Sequence, residues 1–159
     1  MSELPRPMTF TPRNPEFEAV VRESFAKQNF LQTIGAELVE VLPGRSVIAV
    51  RRSDAIVQQQ GLLHGAAIGA IGDVAGGYAA LSLMPPDSEV VTVEYKINFV
   101  APAKADRLVA IADVLRAGRT LSVCQIEVRA AAADGADLRS EPLIAILQAT
   151  FSRVHLSTD

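Results

Sequence analysis

The stretch from Leu62 to Met84 constrains this chain more than any other. It is long and almost uncharged, and it holds five glycines, His64 and Asp73. It is long enough to test as a membrane span. A carboxylate at the bilayer centre costs about 2.5–3.5 kcal/mol on insertion scales, and Ala and Gly supply little transfer energy in return. The segment therefore reads as a helix buried inside a water-soluble protein, ended by Pro85-Pro86, which cannot continue it. At 100° per residue Gly65, Gly69, Gly72 and Gly76 fall on one narrow stripe, where another backbone is expected to approach closely. Glycines in a helix interior cost up to about 1 kcal/mol each against Ala, so close packing must offset them.

The rest of the chain is organised around that helix. The opening segment to Pro15 carries Pro5, Pro7, Pro12 and Pro15 and no apolar core of a secretion signal, so it reads as an extended arm over 1–15. Phe17, Val20, Val21 and Phe25 follow a helical spacing, which predicts an N-terminal helix over 16–30 started by Asn14-Pro15. Strands are expected over Ile34–Val41 and Val47–Arg51, joined by the turn sequence Leu42-Pro43-Gly44-Arg45. Beyond the glycine-rich helix come four more: Glu89–Val100, Arg107–Arg116, Arg119–Arg129 and Leu143–Val154, with polar loops at Ala117-Gly118 and around Asp134-Gly135. No βαβ alternation is present. An antiparallel sheet wrapped round one helix follows, in the α+β class, as a single domain over 1–159 with its core at 34–154.

Composition excludes several functions. With 15 Lys and Arg against 18 Asp and Glu, the net charge of −3 offers no basic surface for nucleic acid or an anionic membrane. One cysteine cannot close an intramolecular disulfide, and with two histidines a His/Cys zinc site is not expected. Cys124, in an apolar alternating strand, reads as a buried structural thiol.

Asp73 is the main candidate for chemistry. It has no basic neighbour within a helical turn. A carboxylate without a counter-charge in apolar surroundings should have a raised pKa, which suits a general base or a nucleophile. His64-Gly65 opens the same helix, where free N–H groups and the positive dipole end can polarise a carbonyl and hold its oxyanion. His64 serves equally well as a cap there. Nine residues, about 13.5 Å of rise and half a turn, separate His64 from Asp73, so the two ends of this device cannot meet on one carbonyl within a chain. Two antiparallel copies of the helix could bring them together. Gln58 and Thr92 are candidates for holding substrate or water, and Arg116 and Arg119, flanking a turn, for meeting phosphates.

Together these residues resemble the hotdog-fold acyl-CoA thioesterases of the PaaI-like, phenylacetate-pathway group. The resemblance rests on Gly61-Leu62-Leu63-His64-Gly65 through Asp73, on Val91–Ala103 (VTVEYKINFVAPA) and on Gly118–Val123 (GRTLSV). It extends from about Ile34 to Arg153. The resemblance implies that Asp73 is the catalytic carboxylate and that the Gly65 N–H polarises the thioester carbonyl. It implies that Thr92 lies near the attacking water and that Gln58 helps to place substrate. It implies a homodimer or dimer of dimers in which Asp73 and Thr92 of one subunit face Gln58 and Gly65 of its neighbour. Ala66 stands where the family has a second glycine, and Gln58 where it often has Asn. The expected activity is hydrolysis of an acyl-CoA in the cytoplasm, with no metal and no cofactor beyond the CoA of the substrate. Two other activities fit the same fold: a non-catalytic acyl-CoA-binding module, which would have little reason to keep Asp73, and a thioester hydratase, for which no suitable His–carboxylate pair is present.

Overall fold

The computed structural model describes residues 8–131 and 137–155. The start of the arm and the expected loop at Asp134-Gly135 lie outside them. In chain order the elements are α1 (Phe17–Ala26), α2 (Asn29–Thr33), β1 (Ala36–Leu42), β2 (Arg45–Arg51), α3 (Gly65–Leu81), β3 (Ser88–Phe99), β4 (Arg107–Ala117), β5 (Leu121–Ala130) and β6 (Leu143–His155). The strands form one sheet in the order β1-β2-β4-β5-β6-β3, with every neighbouring pair antiparallel. The sheet curves round α3, the arrangement of the hotdog fold.

Helix α3 is apolar on nearly every side because sheet surrounds it. Ile68, Ile71, Ala75 and Ala79 pack with Ile48, Leu108, Ile126, Leu147 and Phe151 in one cluster. The glycine stripe is used differently from the sequence expectation. Large side chains of the sheet, not another backbone, approach it. A Cβ on Gly72 would lie 2.9 Å from Leu147, and one on Gly76 would lie 2.7 Å from the Phe151 ring. Two hydrogen bonds pin the same stretch: Ser46 Oγ donates to Ala75 O at 2.6 Å, and Cys124 Sγ lies 3.5 Å from Gly76 O. Burial pushes the Cys124 thiol up to about 12, so it remains an inert packing group.

Strand β4 is buried on both faces. Leu108, Ala110 and Ala112 join the α3 cluster, while Val109 and Ile111 join Val47, Ala49, Ala131 and Leu138 on the outer side. Its near-continuous run of apolar residues has this cause: chain beyond β5 folds back over the outer face.

The N-terminal segment departs from the expected single helix over 16–30. It breaks at Gln28, whose backbone is extended, and restarts as α2. Val21 and Leu31 are both fully buried. A straight helix would place them about 80° apart around its axis, so the break lets both side chains reach the core. The β1–β2 turn falls where its residues predict it. Gly44 takes φ +78°, and Phe10 of the arm lies over it, 2.5 Å from where a Cβ would stand.

The glycine contacts give opposite expectations for neighbouring positions. Gly76→Ala gains about 1 kcal/mol of helix propensity but forces a methyl into Phe151, at a cost of roughly 1–3 kcal/mol. Gly77→Ala meets only ordinary contacts, at 3.6 Å to Phe151 and 3.7 Å to Val90. Urea denaturation should find Gly76→Ala destabilised, and Gly77→Ala as stable as the parent or more so.

Candidate active site

Asp73 projects from the middle of α3 at the rim of a cavity of about 180 Å³, also lined by Thr92, Val90, Gly77, Tyr78, Phe151 and Gln28. Its Oδ1 accepts a hydrogen bond from Thr92 Oγ1 at 2.8 Å. The carboxylate is thus half-buried and has one partner, a correction to its reading as unpaired. Burial raises its pKa above the ordinary carboxylate value, and the Thr92 hydroxyl draws it part of the way back.

A bulge in β3 aims Thr92 at this carboxylate. The register against β6 shifts between Thr92 and Glu94. Before the shift Val90 and Thr92 face the cavity, whereas after it Tyr95, Ile97 and Phe99 face α3 and the core. Even-numbered and odd-numbered side chains cannot share one face of a regular strand, so the extra residue at the bulge is what reverses the parity.

The second group of candidates lies at the start of α3. Gln58 belongs to a tight loop closed by the Val57–Leu63 bridge, and its Oε1 accepts the Gln60 N–H. His64 is the N-cap of α3, and its Nδ1 accepts the Ala66 N–H at 2.9 Å. Of the two sequence readings for His64, capping is the one its ring nitrogen performs. Among the described residues the N–H of Gly65 has no acceptor, and the Phe99 ring stands 3.2 Å from where a Gly65 Cβ would be. Gly65 is eight residues from Asp73 in α3, about 12 Å along the axis. One chain therefore brings Asp73 to Thr92, and Gln58 to His64 and Gly65, and leaves the two groups apart.

Arg116 and Arg119 are exposed at the β4–β5 hairpin. Arg119 lines a small crevice with Arg13, Arg153, Ala80 and Met84, near the far end of α3 from Gly65. Neither arginine reaches Asp73 within the chain. A larger cavity, about 310 Å³, lies between the arm and the β1–β2 turn and touches none of these candidates. Among the described residues no three His, Cys, Asp or Glu side chains are grouped so as to hold a metal ion, and no helix is long and apolar enough to cross a membrane.

Sequence reasoning missed Gln28 and Tyr78, which share the cavity with Asp73. Gly77 was the available signal. It stands one turn beyond Asp73 on the same helix face, where the missing side chain leaves room.

Comparison with known proteins agrees with this architecture. Residues 60–134 match the model of the thioesterase superfamily. A protein of Saccharolobus solfataricus named as an esterase is 30% identical over 110 residues, covering 69% of this chain and 78% of its own. The 1,4-dihydroxy-2-naphthoyl-CoA hydrolase of Listeria monocytogenes is 28% identical over 97 residues, covering 61% and 79%. The crystal structure of a thioesterase family protein from Silicibacter pomeroyi superposes with a TM-score of 0.81 at 38% identity, over 88% of this chain and 99% of that one. The PaaI protein of E. coli shares the fold with a TM-score of 0.76 at 17% identity, over 89% and 96%.

The raised pKa has a consequence for stability. The native state holds the Asp73 proton more tightly than the unfolded chain does. Stability is therefore fullest below the ordinary carboxylate pKa and is lost as pH rises through the native value. Asp73→Asn removes the buried charge and keeps the acceptor for Thr92. Denaturation curves should show this variant at least as stable as the parent at pH 7, with its advantage fading toward pH 3.

Proposed function

The chain belongs to the thioesterase superfamily, and on that premise we propose that it hydrolyses an acyl-CoA to the free acid and CoA in the cytoplasm. The observation that carries the proposal is Asp73: a half-buried carboxylate with a raised pKa, held by Thr92 in the wall of a cavity. The CoA ester as substrate is supported by the name of the Listeria relative.

In this reading the acyl group enters the cavity and the thioester carbonyl meets the Gly65 N–H. Asp73 takes a proton from water as the water oxygen attacks the carbonyl carbon. The oxyanion rests on Gly65 N–H and the positive end of α3. Collapse of the intermediate breaks the C–S bond, and the CoA thiolate takes up the proton held by Asp73. Direct attack by the carboxylate, giving an anhydride that water then cleaves, uses the same residues. Thr92 orients the carboxylate, and Gln58 helps to place water or substrate. His64 sets the start of the helix and can contact substrate only through its outer edge. Arg116 and Arg119 are offered to the nucleotide phosphates.

Because Asp73 and Gly65 are about 12 Å apart in one helix, the proposal includes a second copy of the chain. Strand β3 is an edge strand, and Val91, Val93, Tyr95 and Phe99 along it are 48%, 56%, 43% and 54% exposed. A long apolar edge is an aggregation hazard unless it is covered. Pairing two β3 edges antiparallel would cover it and carry Gly65 and Gln58 of each subunit toward Asp73 of the other.

Thiol release from acyl-CoAs should fall by about 10²-fold or more in Asp73→Asn, as for loss of a general base. Full activity in that variant would overturn the role of Asp73, and no release by the parent from any CoA ester would favour a binding module. In Thr92→Val the carboxyl loses the hydrogen bond that lowers its pKa, so the acid limb of kcat/KM should move to higher pH. Gly65→Pro removes the N–H at a position where proline suits the first turn, and His64 already has the extended backbone that must precede it. Each of Asp73→Asn and Gly65→Pro should be inactive alone. Their mixture after subunit exchange should regain about a quarter of parental activity, since half of the dimers are mixed and each carries one complete site. No recovery would place the whole site within one chain.

A further inference from the structure

The loop that leads through Gln58 into the start of α3 is tied firmly at its base and at one point only near its tip. At the base Val57 bridges Leu63, the His64 N–H donates to Ile56 O at 2.8 Å, and the Leu63 N–H donates to Ala103 O at 3.0 Å. The tip, 58–61, closes on itself: the Gly61 N–H donates to Gln58 O and the Gln58 N–H to Leu62 O, both at 2.9 Å. Gln59, Gln60 and Gly61 are exposed, and a Cβ on Gly61 would meet nothing within 4 Å. Packing therefore does not hold the tip. Among the described residues one hydrogen bond reaches it from outside the loop, from Arg52 Nη2 to Gly61 O at 2.7 Å. Arg52 follows directly on β2, and its own N–H donates to Asp106 O at 2.8 Å, so the donor stands on the sheet.

Inside the tip the Gln58 side chain has a fixed polarity. Its Oε1 accepts the Gln60 N–H at 2.5 Å. An amide nitrogen is a donor only, so the flipped orientation of this side chain is excluded. Nε2, in a long contact of 3.4 Å with Gln60 Oε1, is the end left for other partners.

We propose that Arg52 is a positioning residue for the reaction: by holding Gly61 O it fixes the loop in which Gln58 is locked as a hydrogen-bond donor. This rests on the thioesterase reading above and extends it to a residue that touches no reacting atom. Gln58 then meets the site through Nε2 alone and serves an acceptor there. A role in rate fits this contact better than a role in stability. One hydrogen bond from an exposed guanidinium to a loop carbonyl adds little to a fold whose core lies elsewhere. A small displacement of a group that orients reactants, by contrast, lowers the rate steeply.

The experiment reads loop and rate separately. By NMR, solvent exchange of the Gln60 N–H should be roughly tenfold slower in the parent than that of the Gln59 N–H, which has no acceptor among the described residues. This protection should be lost in Gln58→Ala, kept in Gln58→Glu, whose carboxylate still accepts, and reduced in Arg52→Ala. For thiol release from the CoA ester that the parent cleaves fastest, kcat should fall roughly tenfold in Arg52→Ala, with KM and the thermal midpoint little changed. Gln58→Glu should lose activity despite its intact loop. In a Gln58→Ala background Arg52→Ala should have no further effect, because its influence passes through that side chain. A merely structural contact would lower the melting point and act equally in both backgrounds. Four results would each overturn the proposal: full kcat in Arg52→Ala, an undiminished effect in the Gln58→Ala background, parental activity in Gln58→Glu, or Gln60 protection unaltered by Arg52→Ala. The expected protection pattern with no thiol release by the parent from any CoA ester would instead sink the thioesterase reading and leave Arg52 as the residue that holds the Gln58 loop.

Discussion

The contact on which the rest of this protein depends is the seating of Leu147 and Phe151 directly on the backbone of α3 at Gly72 and Gly76. Dispersion and apolar burial across so short a gap offset the poor helix propensity of glycine. The contact also sets the depth at which the helix lies within the sheet. That depth determines which atoms of α3 face the cavity and which are sealed. Gly77, next to this seat, leaves room for ordinary contacts with Phe151 and Val90 and lines the cavity beside Asp73.

Placing a carboxylate one turn from this contact works against stability. Asp73 is half-buried with a hydroxyl, not a cation, as its partner, and its ionised form is disfavoured as a result. A salt-bridged Asp in the same place would be more stable and less basic. The bulge in β3 belongs to the same design. It delivers Thr92 to the carboxylate and then returns the strand to a register in which Tyr95 and Phe99 lie over Gly69 and Gly65. The chemistry proposed here uses a residue on each side of that reversal, Thr92 before it and, through Phe99, Gly65 after it.

Much of the architecture was legible from local chemistry. The turn at Pro43-Gly44, the stop at Pro85-Pro86 and the period of each strand depend on neighbours in sequence, and they fall within a few residues of where the pattern puts them. Asp73 was legible for a related reason, since a lone charge on an all-apolar helix needs no partner to be conspicuous. Three features were not legible. The break at Gln28 depends on burying Val21 and Leu31 together, and both faces of β4 are buried because distant chain covers the outer one. The partner of the glycine stripe was misjudged as backbone because the pattern records a missing side chain and not what fills the gap.

The amino-acid sequence by itself determined the six strands, the glycine-rich helix and their order, and the identity of the lone acid on that helix. Those properties reside in composition and in spacings shorter than a helical turn or a hairpin, where covalent geometry dictates the outcome. Only the tertiary structure decided that Thr92 holds Asp73, that His64 spends its Nδ1 on a cap, and that Gln28 and Tyr78, hydrogen-bonded to each other, line the cavity beside Asp73. The first and last of these join residues far apart in the chain, and the first depends on a shift of strand register as well. The side-chain pattern of a single segment carries no information about the distance between two segments.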